Sequence, residues 1–177
     1  MSSNLLALSL CPEEAVCYLS RVYKTLILTD PPLILRTYRG RLLIHSLGFP
    51  DEPEVAALCR QIMDEFGLDE DLFPAFAIQG SAWVTDVFPY TPQSFADDEP
   101  DHGYKEPLGE YAAKAGVKVS QTWGMRFAET CFLAEPIYDV IPPETVANGS
   151  FWLPQTPSQL LAFQLAVTAR DDSDGLP

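Results

Sequence analysis

The chain has 177 residues, 47% hydrophobic and 20% charged, which is long enough for one core and too apolar for a disordered chain. No stretch approaches the ~18 uninterrupted apolar residues that a membrane-spanning helix needs. Eleven basic residues against 25 acidic ones leave a net charge of −14, which repels phosphate backbones and anionic lipid and disfavours general nucleic-acid or membrane-surface binding.

The start, Met1 to Leu6, lacks a positive n-region and a full apolar h-region, so the expected setting is cytoplasmic. Leu5 to Leu10 reads as a short first strand. Pro12 suits a first helical position, Glu13 and Glu14 favour the positive end of a helix dipole, and Val16, Leu19 and Tyr23 continue at helical spacing, so a helix is expected over about 12–22. Thr25 to Thr29 is apolar and rich in β-formers, a strand ended by Asp30-Pro31-Pro32. Arg41 to Ser46 gives the next strand. The clearest helix signal runs from Pro53 to Phe66, with Val55, Leu58, Cys59, Ile62 and Phe66 as its apolar stripe and Gly67 as its cap. Ala75 to Phe88 is strand-like, and Gly80 within it marks a bulge or a close approach to the backbone.

Residues 89–110 read as a long acidic, proline-rich insertion carrying Asp97-Asp98-Glu99-Pro100-Asp101; loops of that length are commonly functional or mobile. A short helix over Glu110 to Ala115 is expected next, then strands around Met125–Phe132 and Gly149–Leu153. Thr156-Pro157-Ser158-Gln159 has the form of a capping box, and the helix it opens should reach about Ala169. Residues 170–177 read as a flexible tail, leaving a single domain over residues 1–169. Several strands, two or three long helices and no βαβ rhythm give an α+β class with a curled sheet.

Charge and cysteine placement refine the functional classes. Residues 51–110 hold fifteen acids against only Arg60 and Lys105, while Arg36, Arg39 and Arg41 cluster earlier in the chain. Cys11, Cys17, Cys59 and Cys131 show no CxxC spacing, and His45 and His102 are the only imidazoles, so neither a metal site nor a cofactor is expected. The dinucleotide, P-loop and nucleophile-elbow motifs have no counterpart in the sequence.

Four segments in order carry a family resemblance: Leu8-Ser9-Leu10 with Val22-Tyr23-Lys24-Thr25-Leu26-Ile27-Leu28-Thr29; Tyr38-Arg39-Gly40-Arg41-Leu42-Leu43-Ile44-His45-Ser46; Ile78-Gln79-Gly80-Ser81-Ala82-Trp83-Val84-Thr85-Asp86-Val87; and Trp123-Gly124-Met125-Arg126-Phe127 followed by Ala134-Glu135-Pro136-Ile137 and Gly149-Ser150-Phe151-Trp152. Together they resemble a divergent ASCH domain (activating-signal-cointegrator homology) of the PUA-like superfamily. The resemblance implies a PUA-like curled β-barrel with covering helices, with Leu43, Val84 and Phe127 buried. The family's GxKxxExR cleft motif aligns with Val22, Lys24, Ile27 and Thr29, so only the lysine is kept. Isoleucine can neither accept a proton nor act as a nucleophile, and threonine cannot replace a bidentate arginine clamp.

The resemblance therefore implies a non-catalytic binding module acting through protein–protein contacts, with a partner that the acid excess would make basic, and with room for a small anionic or nucleotide ligand. Candidate ligand-binding residues are Lys24, Arg39, Arg41, His45, Trp83 and Asp86, with no catalytic residue assigned. Arg39 and Arg41 would share a strand face. Lys24 equally suits a helix end, His45 a satisfied core position, and Trp83 core packing. Two other readings stay open: an RNA- or modified-nucleoside-binding domain, and an amidohydrolase with relocated chemistry. Convergence of Lys24, Arg36, Arg39 and Arg41 on one concave face would favour RNA; ion pairs with the acidic segment would disfavour it.

Overall fold

The computed structural model describes residues 5–49, 51–65, 67 and 75–171. The order is β1 (Leu6–Leu10), α1 (Pro12–Leu19), β2 (Thr25–Thr29), α2 (Leu33–Arg36), β3 (Gly40–Ser46), α3 (Pro53–Glu65), β4 (Ala77–Pro89), α4 (Pro92–Asp97), α5 (Glu99–His102), α6 (Leu108–Lys114), β5 (Thr122–Ile137), β6 (Ser150–Trp152) and α7 (Pro157–Asp171). The class is mixed α+β, with a six-stranded curled sheet of order β2-β5-β4-β3-β1-β6. No described helix is long and apolar enough to cross a membrane. Contacts group the chain into two compact units: the first draws on Met1–Leu19, Arg41–Ala82 and Cys131–Pro177, the second on Ser20–Gly40 and Trp83–Thr130.

In the first unit, β1 pairs in parallel with β3 and antiparallel with β6, in registers such as Ala7↔Leu43 and Ala7↔Trp152. A strand paired on both edges and covered on both faces has no solvent side, which explains why β1 is buried throughout, with Ser9 its one polar residue. Ala7, Leu43, Ile78, Trp152, Phe163 and Ala166 meet in its core. The capping box opening α7 is present: the Gln159 amide oxygen accepts from Thr156 N–H at 3.1 Å, and Thr156 Oγ1 accepts from Gln159 N–H at 3.3 Å. Gly80 is needed for space, because a Cβ there would overlap the Cys131 carbonyl oxygen and lie 2.6 Å from Leu19 Cδ2.

Helix α3 departs from the expected stripe. It buries Ala56, Cys59 and Met63, while Val55 and Leu58 face outward; Met63 packs on Val16 of α1. The small Ala56 and the unbranched, flexible Met63 face inward, and Met63 fills the contact with α1. The expectation for the Ile62 side chain, for Phe66 and for the tail beyond residue 171 falls outside the described residues, and α7 itself extends through Asp171.

In the second unit, β2 and β5 run antiparallel with Thr25 opposite Arg126 and Thr29 opposite Thr122. The stretch expected as a long loop is largely helical. Helices α4, α5 and α6 fold around Tyr90, Phe95 and Leu108, against which Ile27 and Phe88 also pack. Thr91 caps α4 reciprocally with Ser94, with proline in the first turn, so the prolines here start helices instead of breaking a chain. Gly103 closes α5 at φ +80, a left-handed position where any side chain would run into the Tyr23 ring. Leu43, Val84 and Phe127 are buried, as the family resemblance implies.

Candidate functional site

Each candidate basic residue has an intramolecular partner. Helix α1 ends at Leu19, well short of Lys24, so the helix dipole does not reach it; Lys24 Nζ instead meets Asp101 at 3.1 Å, and its backbone N–H donates to the Asp101 carbonyl. Arg39 precedes β3 and donates to Asp86 at 2.6 Å, a pair half-exposed on both sides. Arg36 meets Asp30 at 3.6 Å and lies 4.9 Å over the Trp123 ring, a cation–π contact. Arg41, in the first unit, donates to the carbonyl oxygens of Ala166 and Val167 at 3.0 and 3.4 Å. Both carbonyls belong to α7, about one turn before its end at Asp171, towards the negative end of the helix dipole. Trp83 stands exposed on β4.

His45 is fully buried. The Trp152 indole N–H donates to Ser9 Oγ at 2.9 Å, the Ser9 hydroxyl donates to His45 Nδ1 at 2.8 Å, and His45 Nε2–H donates to the Val140 carbonyl at 2.7 Å. That chain fixes one neutral tautomer. Burial pushes the imidazole pKa down to about 4, partly opposed by the Val140 bond. A hydroxyl–imidazole pair resembles a nucleophile and its base, but neither group is accessible and the third partner is a carbonyl, not an orienting carboxylate. Burial also pushes the Cys11 thiol up to about 12 and Cys17 and Cys59 up to about 11, so all three are protonated at neutral pH and poor nucleophiles. Among the described residues no three potential metal ligands cluster.

The acidic run of the second unit is also committed. Asp98 is buried, accepts from the Tyr90 hydroxyl at 2.5 Å and pairs with Arg126. Burial first, then the adjoining carboxylate, pushes the Tyr90 pKa up. With Asp101 held by Lys24, two acids of the run serve the fold.

The first unit holds a surface groove of about 780 Å³ between residues 137–145 and the start of α7. Ile141 is 60% exposed, Leu161 56% and Leu165 49%, and Tyr138 is equally open. Its floor is fixed by hydrogen bonds. Val140 N–H donates to the Phe76 carbonyl at 2.8 Å, the Val140 carbonyl is taken by His45, and the Ile141 carbonyl accepts from Gln159 Nε2 at 2.7 Å. Asp139 makes the turn at φ +57, a conformation aspartate tolerates better than most residues. Helix α7 buries its small residues Ala162 and Ala166 with Phe163 and turns Leu160, Leu161 and Leu165 outward. Full burial of a leucine is worth about 1.5–3 kcal/mol, so covering each half-exposed leucine would add roughly 1 kcal/mol. The spread of the apolar residues of α7 over more than one helix face is the sequence signal for a second contact surface.

No protein-family model matches the sequence, and no curated protein matches it. Solved structures do. The crystal structure of ASCH from Zymomonas mobilis matches at 11% identity and a TM-score of 0.56, covering 91% of this chain and 94% of that one. Two single-residue variants of that protein match at 13% identity with TM-scores of 0.56 and 0.54, covering 93% and 91% of this chain and 97% and 96% of theirs. The chain therefore has the ASCH fold, as read from its ordered segments.

Proposed function

We propose that this ASCH-folded chain is a non-catalytic, cytoplasmic binding module that acts through protein–protein contacts. The observation that carries the reading is the groove of the first unit: a rigid concave surface walled by exposed apolar side chains, whose backbone carbonyls at Val140 and Ile141 are already satisfied. Exposed contiguous apolar surface of this kind marks interaction sites, whereas single exposed leucines do not. Small-molecule sites keep a few inward polar groups to orient their ligand, and here the Val140 and Ile141 carbonyls and the Gln159 amide are spent on the fold.

The motif positions support the non-catalytic half of the reading. Ile27 packs against the Tyr90–Phe95–Leu108 cluster, and Lys24 is paired with Asp101. The RNA reading loses support because Lys24 and Arg39 are tied to carboxylates of the acidic segment and Arg36 to Asp30, while Arg41 is spent on helix carbonyls.

The test is quantitative affinity capture from the native cytoplasm with the full chain, its Leu161→Asp variant and its Trp83→Ala variant. Proteins lost from the Leu161→Asp eluate and kept in the Trp83→Ala eluate are expected. Identical eluates from all three, or captured material removed by nuclease, would overturn the reading, as would hydrolysis of N-acylated nucleosides abolished by Lys24→Ala.

A further inference from the structure

Resting on that reading, we infer that the occupant of the groove is an amphipathic helix of a partner protein, with an aliphatic stripe flanked by lysine or arginine. Three features of the groove select it. The first is charge. Asp139 and Glu144 are the only charged residues among its walls, and no basic side chain lines it. Arg41 meets α7 from the carbonyls of Ala166 and Val167 and is not one of those walls. A chain of net charge −14 adds long-range attraction for a basic partner and repulsion of a second copy of itself.

The second feature is the wall opposite α7, where Pro142-Pro143 offers no backbone N–H. An added strand needs alternating donors and acceptors from the edge it joins, so strand addition fails at this wall. The third is the spacing of Leu161 and Leu165, one helical turn apart and both outward, with Ile141 exposed across the groove. That is the surface a second helix packs against, its own side chains at i, i+3 and i+4 entering between them. The hydrogen bonds that hold Val140 and Ile141 keep the groove formed before the helix arrives, which lowers the ordering cost of binding.

Three labelled helical peptides of about 18 residues, about five turns each, test the inference with the full chain. One has a leucine stripe flanked by lysine, one the same stripe flanked by glutamate, and one the lysines with glutamine in place of leucine. Fluorescence anisotropy should rank the leucine–lysine peptide first by at least about tenfold over both others. The Ile141→Ser/Leu161→Ser double variant keeps every charge and should lose at least about tenfold in affinity for it. Methyl shifts of Ile141, Leu161 and Leu165 on titration should map the contact. Equal binding of the leucine–lysine peptide by wild type and the double variant would overturn the inference, as would equal binding of the leucine–glutamate peptide. A dimer of the free chain that dissociates on Ile141→Ser would also overturn it, assigning the groove to a second copy. If the peptides fail while capture still depends on Leu161, the module reading stands and the basic-helix occupant falls.

Discussion

Acidification should weaken the fold through one residue. His45 accepts a proton near pH 6.5 in the unfolded chain and only near pH 4 in the folded one, because protonation would leave a charge in the core and take the Nδ1 acceptor away from the Ser9 hydroxyl. The folded pKa is the depressed one, so the stability tied to neutral His45 is complete above pH 6.5 and drains away as pH falls towards 4. Linkage gives about 2 kcal/mol lost by pH 5 and about 3 kcal/mol in full. Urea unfolding of the wild type and His45→Gln at pH 8, 7, 6 and 5 isolates the effect. The variant is less stable throughout, since Ser9 and Val140 lose an ideal partner. Its pH dependence should nonetheless be flatter by about 2 kcal/mol over that span, because every other titrating group is common to both proteins. Glu14, whose pKa burial raises, works in the opposite direction on acidification and cancels in the difference. Parallel pH profiles for the two proteins would refute the buried neutral imidazole.

Gly80→Ala should destabilise the protein by about 3 kcal/mol, the upper end for overpacking, because the obstacle is the backbone carbonyl of Cys131; thermal unfolding measures it. Arg39→Ala breaks a half-exposed pair and should cost under about 1 kcal/mol by urea unfolding. Asp98→Asn removes a buried charge facing a partly exposed Arg126 and should cost about 2 kcal/mol by the same assay. Unmodified RNA or DNA should bind weakly near physiological salt; submicromolar binding with a steep salt slope, abolished by Arg39→Ala and Arg41→Ala together, would contradict this.

The strands were the most legible part of the sequence, because β2 and β3 have compositions few other structures accept. Helices α1 and α3 and the α7 cap were legible from spacing and capping chemistry. Helix α6 was legible too, expected over 110–115 and found at Leu108–Lys114, but α4 and α5 were not, since each is shorter than the window over which a 3.6-residue period can be recognised and both contain prolines that also signal loops. The partners of the candidate residues lie far along the chain: Lys24 meets Asp101, Ser9 meets His45, and Arg41 meets Ala166. Local pattern carries no record of such pairs. Which helix face is buried was legible only in part, because burial of alanine in α3 and α7 follows from how closely neighbouring elements approach, and leucine is then left outside.

Site-specific photo-crosslinking at the groove tests the central claim most directly. A benzophenone side chain at position 161, in the full chain within its native cells, should give a discrete set of protein adducts that resist nuclease and disappear when Ile141 is also changed to Ser. The same group at position 83, in the second unit, should not give those adducts. Equal adducts from both positions, or nuclease-sensitive adducts from position 161, would contradict a protein-binding module built on this groove.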